Sequence, residues 1–287
     1  VTPTGWSIRG WVLASIGWLC CAAFPAQAAS IEETAARLHT LAQTARPQPM
    51  IRIDAGWFLM GSPPRPPTEG FLTPFDNTEI PERRIWLDGY RIDRDEVNVA
   101  NFARWWLAEP DATSRVPGWL DHASAARGAD AGNRPVMAVT WAEADGFCRS
   151  LGKRLPSEAE WEKAARGEEG RLFPWGDAGP HAGLAVFGGV PAYAVDTFEA
   201  GRSPYGLHHA AGNAAEWVED WSGIDWYRVM PDRNPKGPPS GRYKVVRGGS
   251  WRSDPVMLRT ATRSASSPDV RRDTIGFRCA AGLGAAP

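Results

Sequence analysis

The sequence predicts a mixed α and β fold with many turns and little long regular structure. Three observations point there. A pair of helices between Asn133 and Gly167 is opened twice by a capping signal, strand-like runs flank that pair, and 30 Gly and 25 Pro punctuate 287 residues. In the stretch NRPVMAVTWAEADGFCRSLGKRLPSEAEWEKAARG, a short apolar strand leads into the first helix. Thr140 and Glu143 form a T-x-x-E capping box, each side chain bonding the other's backbone amide. Trp141, Ala144, Phe147 and Leu151 then recur near helical spacing as an apolar stripe, and Gly152 stops the helix. Ser157 and Glu160 repeat the box, Trp161, Ala164 and Ala165 face inward, and Gly167 ends the second helix. Arg154 and Pro156 fill the connection.

The remaining elements follow in order. Ser30 and Glu33 cap a leading helix to about Ala45, with Ile31, Ala35, Leu38 and Ala42 as its stripe. Met50–Ile53 and Gly56–Gly61 read as two strands paired around a turn. A Pro-rich loop (Pro63, Pro64, Pro66, Pro67) follows, and Arg84–Ile92 alternates as one strand. Asn98 caps a helix to Leu107 whose Val99, Phe102 and Trp106 face the core. Residues 108–132 read as a surface excursion, Phe173–Asp177 as a turn, and 178–203 as loop. Arg242–Trp251 and Thr274–Ala280 are strands, with a third near Arg259–Ser264.

Composition narrows the function. A chain with 43% hydrophobic residues has ample core, and a formal charge of -1 without a basic block excludes a nucleic-acid-binding face. Fifteen Trp mark an aromatic core or an aromatic-lined pocket. Residues 1–28 read as a secretory signal peptide: Arg9, an apolar run from Gly10 to Phe24, and Ala26-Gln27-Ala28 before the cut after Ala28. The expected location is therefore periplasmic or secreted, with no membrane span after cleavage. Cleavage leaves Cys148 and Cys279, either a disulfide of the exported chain or two separately buried thiols. The expected layout is the signal peptide, a leading helix or linker over 29–47, one domain over 48–282, and a tail over 283–287.

The ordered motifs AGWFLMGS (55–62), DEVNVANF (95–102), PVMAVTWAEADGFCRSLGKRLPSEAEWEKAARG (135–167), FPWGD (173–177), YGLHHAAGNAAEW (205–217), VRGGSW (246–251) and GFRCA (276–280) carry a resemblance. The chain resembles the formylglycine-generating-enzyme, or sulfatase-modifying-factor, superfamily over roughly residues 48–282. That resemblance implies an irregular single-domain α+β fold related to C-type lectins. It also implies that Cys148 and Cys279 are bridged, as in some exported relatives.

The same resemblance sets expectations for chemistry. Members that oxidise a sulfatase cysteine hold copper through two cysteines just after the GGS-aromatic motif, where soft thiolates suit Cu(I). Here those positions fall on Ser253 and near Leu258, so copper-thiolate chemistry is not expected. Other relatives are iron sulfoxide synthases with His ligands, but His39, His122, His181, His208 and His209 show no H-x-x-x-H spacing. Of the adjacent His208 and His209, one is expected at a surface or turn.

Calcium is the metal the resemblance favours, with carbonyls of Gly212 and Ala214, the carboxylate of Glu216, and His209 in place of an amide ligand. The other reading is that Asn213 and Glu216 brace a turn beneath Trp217. Pocket candidates are Ser250, Trp251, Arg252, Ser253 and Asp254, with an acid/base drawn from Asp254, Glu216 or Asp220. Trp217, Trp221, Trp226, Arg247 and Arg263 could line the same pocket or form core. The implied function is an exported maturation or oxidation factor acting on a peptide-derived or protein substrate. The alternative is a non-catalytic lectin-like binding module.

Overall fold

The computed structural model describes residues 30–63, 78–110, 112, 117–120 and 130–284. The signal segment, Pro64, Pro66 and Pro67 of the Pro-rich loop, and much of 108–132 lie outside the described residues.

Helix α1 (Ile31–Ala42) is capped by Ser30 and Glu33 as the capping box requires. It is the expected leading helix, buries Thr34 and Leu38, and packs on α2 (Val99–Trp106). Ile31, the first member of the expected stripe, is exposed. In α2, Asn98 accepts the amide of Asn101, and Val99, Phe102 and Trp106 are buried.

The strand pairings differ from the local reading. Strand β1 (Met50–Ile53) does not pair with β2 (Gly56–Met60). It joins β4 (Tyr90–Asp93), which also pairs with β9 (Ala280–Gly282), while β2 pairs with β3 (Arg83–Leu87). The expected single strand over 84–92 is thus two, separated by Asp88-Gly89, because each half belongs to a different sheet. Likewise the strand expected over 274–280 divides into β8 (Ile275–Phe277) and β9.

Helices α3 (Trp141–Ser150) and α4 (Glu158–Arg166) both carry complete capping boxes. The apolar strand expected before α3 makes a single bridge, Asn98 to Pro135. Leu151 is exposed because α3 has already ended: Leu151 is its cap, beyond the last inward turn. Every residue of α4, charged ones included, is buried. This helix lies against the third sheet, ordered β7-β6-β5-β8, built from β5 (Ala215–Trp221), β6 (Lys244–Arg247), β7 (Arg263–Ser266) and β8. Strands β5 and β8 run parallel and the other pairs antiparallel.

Two apolar clusters flank this sheet. One gathers Phe102, Trp119, Phe147, Trp217, Val246 and Phe277, the other Phe58, Ile85, Trp161, Val218 and Val245. Cys148 and Cys279 form a disulfide with Cα atoms 5.6 Å apart, tying α3 to the link between β8 and β9. Closing a loop across a sequence separation of 131 residues restricts the unfolded chain by about 4–5 kcal/mol.

Candidate functional site

Alternation along the strands gives the β7-β6-β5-β8 sheet two unlike faces. Glu216, Arg247 and Arg263 are in register with one another and point toward α4. Their neighbours Ala215, Val246 and Ser264 point the other way and help line a cavity of about 160 Å³.

On the α4 face every charge has a partner. Arg278 forks onto both oxygens of Glu216 at 2.6 and 2.7 Å, and the Trp161 indole donates to the same carboxylate at 2.8 Å. Arg247 donates to Glu162 at 2.5 Å, and Arg166 donates to the other Glu162 oxygen at 2.7 Å. Arg263 forks onto Glu158 at 2.6 and 2.9 Å. The Arg263 and Arg247 charges hold Glu158 below the ordinary carboxylate range despite burial. Burial and the nearby Glu158 push Asp220 up to about 7. Its carboxylate accepts the Glu158 amide at 2.7 Å at the start of α4 and also the Gly237 amide. Glu216 and Asp220 are therefore structural groups, and neither lines the cavity.

The cavity is built around the Gly248–Ser253 turn. Gly248 and Gly249 both adopt positive φ. A Cβ at Gly249 would sit 2.8 Å from the Leu258 side chain and 3.0 Å from the Met257 carbonyl, so the turn requires glycine there. The turn is stitched to two other loops: Gly212 donates to Gly248 O, Trp251 to Asn213 O, and Gly189 to Trp251 O. Ser250 and Ser253 line the cavity, with the Ser250 amide donating to Ser253 Oγ at 2.9 Å. Thr262, Ser264 and Ser266 add a row of hydroxyls, Ala215, Val246 and Ile275 supply apolar wall, and Arg272 is the one ionisable lining residue.

Of the expected pocket residues, Ser250 and Ser253 are in place and three are not. Trp251 donates its indole to Asp273 O, and Arg252 lies over that ring at 4.3 Å while pairing with the Asp273 carboxylate at 2.8 Å. Asp254 is exposed at the start of a 3₁₀ turn. The aromatic and Arg cluster disperses as well. Trp217 is core, Trp221 and Trp141 sandwich the Lys244 ammonium at 4.0 and 3.8 Å, and Trp226 donates to Lys236 O. Thr262, Ser264, Ser266, Arg272 and Thr274 were not anticipated. The first three leave one visible trace, the alternation T-R-S-A-S over 262–266 with a hydroxyl at every second position.

Leu258, near which the second thiol position was expected, is a buried apolar residue packed with Phe173, Ala185 and Ala211. Ser253 occupies the first, and both cysteines among the described residues are spent in the disulfide. The donors here do not fit Cu(I), which selects soft thiolates.

The four residues assigned to calcium do not fit that ion either. Calcium takes six to eight hard oxygen ligands. Glu216 is already neutralised by a guanidinium that would repel a divalent cation beside it. His209 offers nitrogen, and burial drives its imidazole down to about 3. Its Nε2 faces Thr197 Oγ1 and Ala194 O, each at 3.2 Å. Gly212 and Ala214 lie in the braced turn: the Ala214 amide and the Asn213 side chain both donate to Glu96, which burial, aided by the Glu216 charge, holds well above its ordinary value. Among the described residues no group of three His, Cys, Asp or Glu is arranged to hold a metal.

Both adjacent histidines are buried, so of the expected surface or turn position the surface half does not hold. Positive φ at His209 breaks the strand geometry on which that expectation rested. His208 bonds Asp95 through Nδ1 at 2.5 Å and accepts from Arg202 Nε at 2.8 Å.

An α+β domain with its disulfide and a GGS turn framing a cavity defines a sulfatase-modifying-factor type of protein. Residues 35–283 match the model of the sulfatase-modifying factor enzyme 1-like domain, and the chain belongs to that family. It is 33% identical to the formylglycine-generating enzyme of Mus musculus, over 83% of this chain and 77% of that one. The corresponding enzyme of Streptomyces coelicolor is 35% identical over 66% of this chain and 64% of its own length. Among solved structures, PvdO from Pseudomonas aeruginosa superposes with a TM-score of 0.61 at 22% identity, covering 82% of this chain and 94% of that one. Treponema denticola variable protein 1 gives 0.62 at 24% identity, over 81% and 94%. These two show the shared irregular, C-type-lectin-like fold.

Proposed function

We propose that the chain is an exported maturation factor whose Gly248–Ser253 cavity receives a peptide-derived or protein substrate, without copper-thiolate formylglycine generation. One observation carries this reading. The cavity sits at the GGS turn, yet Ser253 stands where the resemblance puts the first thiolate and no cysteine lies near Leu258, where it puts the second. The family relation to formylglycine-generating enzymes supports a peptide or protein as the client. Export rests on the Arg9 to Ala28 signal pattern.

A second reading is a lectin-like binding module without chemistry. It is favoured by the lining itself, which holds hydroxyls and one guanidinium but no carboxylate, imidazole or thiol. Incubating the purified chain with Cu(I), oxygen and a sulfatase-type cysteine peptide separates these readings from the enzyme's known chemistry. Mass spectrometry is expected to show unchanged thiol; an aldehyde product would end the proposal. The same preparation is expected to carry no stoichiometric calcium and to melt at the same temperature with and without a chelator. A calcium-dependent rise in Tm would reinstate the site at Glu216.

A further inference from the structure

We infer that the cavity recognises a carboxylate on its ligand, paired with Arg272 and flanked by the hydroxyls of Thr262, Ser264 and Ser266. This rests on the reading of the cavity as a ligand site. Ser264 and Ser266 share one side of β7, and Thr262, just before the strand, lines the same cavity, while Arg263 between them turns to Glu158. Thr262 and Ser266 are each only 4% exposed, and neither hydroxyl has a hydrogen-bond partner. Buried polar groups in native proteins nearly always find a partner, and the orphans concentrate where a ligand or water completes them.

Arg272 is the second, independent sign. It is exposed at the cavity, and its guanidinium makes no ion pair or hydrogen bond among the described residues. The arginines around it behave differently: Arg271 forks onto Glu143 and Arg252 pairs with Asp273. A lone guanidinium in a lining without acids favours an anion, and its planar fork matches a carboxylate two bonds at a time. One cation balances one negative charge, which suits a carboxylate better than a phosphate dianion. The volume of about 160 Å³ is that of a site for a benzene-sized group, enough for one amino-acid residue.

The test uses the purified full chain and Nα-acetyl amino acids, each as free acid and as carboxamide, followed by saturation-transfer NMR. Peptides carrying the carboxylate at the C-terminus or on an internal Glu side chain distinguish its source. The free acids are expected to bind about tenfold more tightly than the amides. Arg272→Ala should erase that preference, and Arg272→Lys should keep part of it as a point charge. Because Arg272 is exposed, both variants should fold, which circular dichroism checks. Acids and amides binding alike, with binding lost in Ser253→Trp, would overturn the carboxylate and leave the cavity as a ligand site. Binding untouched by either substitution, or none by any probe, would overturn both.

Discussion

The two faces of the β7-β6-β5-β8 sheet are neighbours in sequence, one residue apart along each strand, and they obey opposite rules. Toward α4, β5, β6 and β7 each contribute a charge and each charge is matched: Glu216 by Arg278, Arg247 by Glu162, Arg263 by Glu158. Toward the cavity, the same strands contribute small apolar and hydroxyl groups, two of them buried without partners, beside an unpaired Arg272. A charged residue is thus a poor guide to function in this domain. Compensation is the better guide: the face toward α4, satisfied apart from Arg247 Nε, holds the fold together, and the cavity face has two buried hydroxyls and a guanidinium with bonds left to offer.

The largest effect should come from the satisfied face. Glu162→Gln leaves Arg247 with the 3.6 Å approach of Glu158 as its one remaining carboxylate, beside the carbonyls of Thr260, Ala261 and Thr262, and removes the charge opposite Arg166. Stripping one partner from a buried pair costs about 3–5 kcal/mol, so urea unfolding should show a loss of that order. A loss under about 1 kcal/mol would place those charges in the ordinary surface class and dissolve the contrast between the faces.

That face also marks the limit of what could be read beforehand. The helix pair was legible because capping boxes and Gly stops are local: Thr140 with Glu143 and Ser157 with Glu160 need only their own backbone. The burial of Glu158, Glu162, Lys163 and Arg166 was not, since periodicity shows which side of α4 is apolar but not whether the polar side meets water or arginines. Pairing was lost for a related reason. Nothing in Met50–Met60 says that β1 seeks β4 and β2 seeks β3, because register across sheets is set by distant partners. In the cavity, Ser250 and Ser253 could be picked out by their place after GG. Ser264, Ser266 and Arg272 come from other segments and meet them only after folding.

Asp220 gives a middle-sized effect with a definite sign. Its carboxyl is raised from 3.8 to about 7 in the folded chain. Between those values the folded state binds a proton that the unfolded state has released, so Asp220 stabilises the fold fully below pH 3.8 and that contribution fades as pH rises through about 7. Asp220→Asn should flatten this fall relative to the native chain while retaining one acceptor for the Glu158 amide. Melting temperatures of both proteins across that window test it, and parallel pH profiles would show that Asp220 is charged throughout.

The smallest effect should come from the cavity face, and it sharpens the comparison most. Thr262→Val keeps the branched shape and removes a hydroxyl that bonds nothing in the folded chain. Deleting a satisfied hydroxyl typically costs about 1 kcal/mol, whereas an orphaned one carries a desolvation penalty of about 1–3 kcal/mol. Thr262→Val should therefore leave stability unchanged or raise it slightly. The same substitution should weaken any ligand seated against Arg272, separating a cost in binding from a gain in folding. Were Thr262→Val to destabilise the chain by as much as Glu162→Gln, the hydroxyl row would belong to the scaffold after all, and the cavity would lose its claim to be the face left open for a ligand.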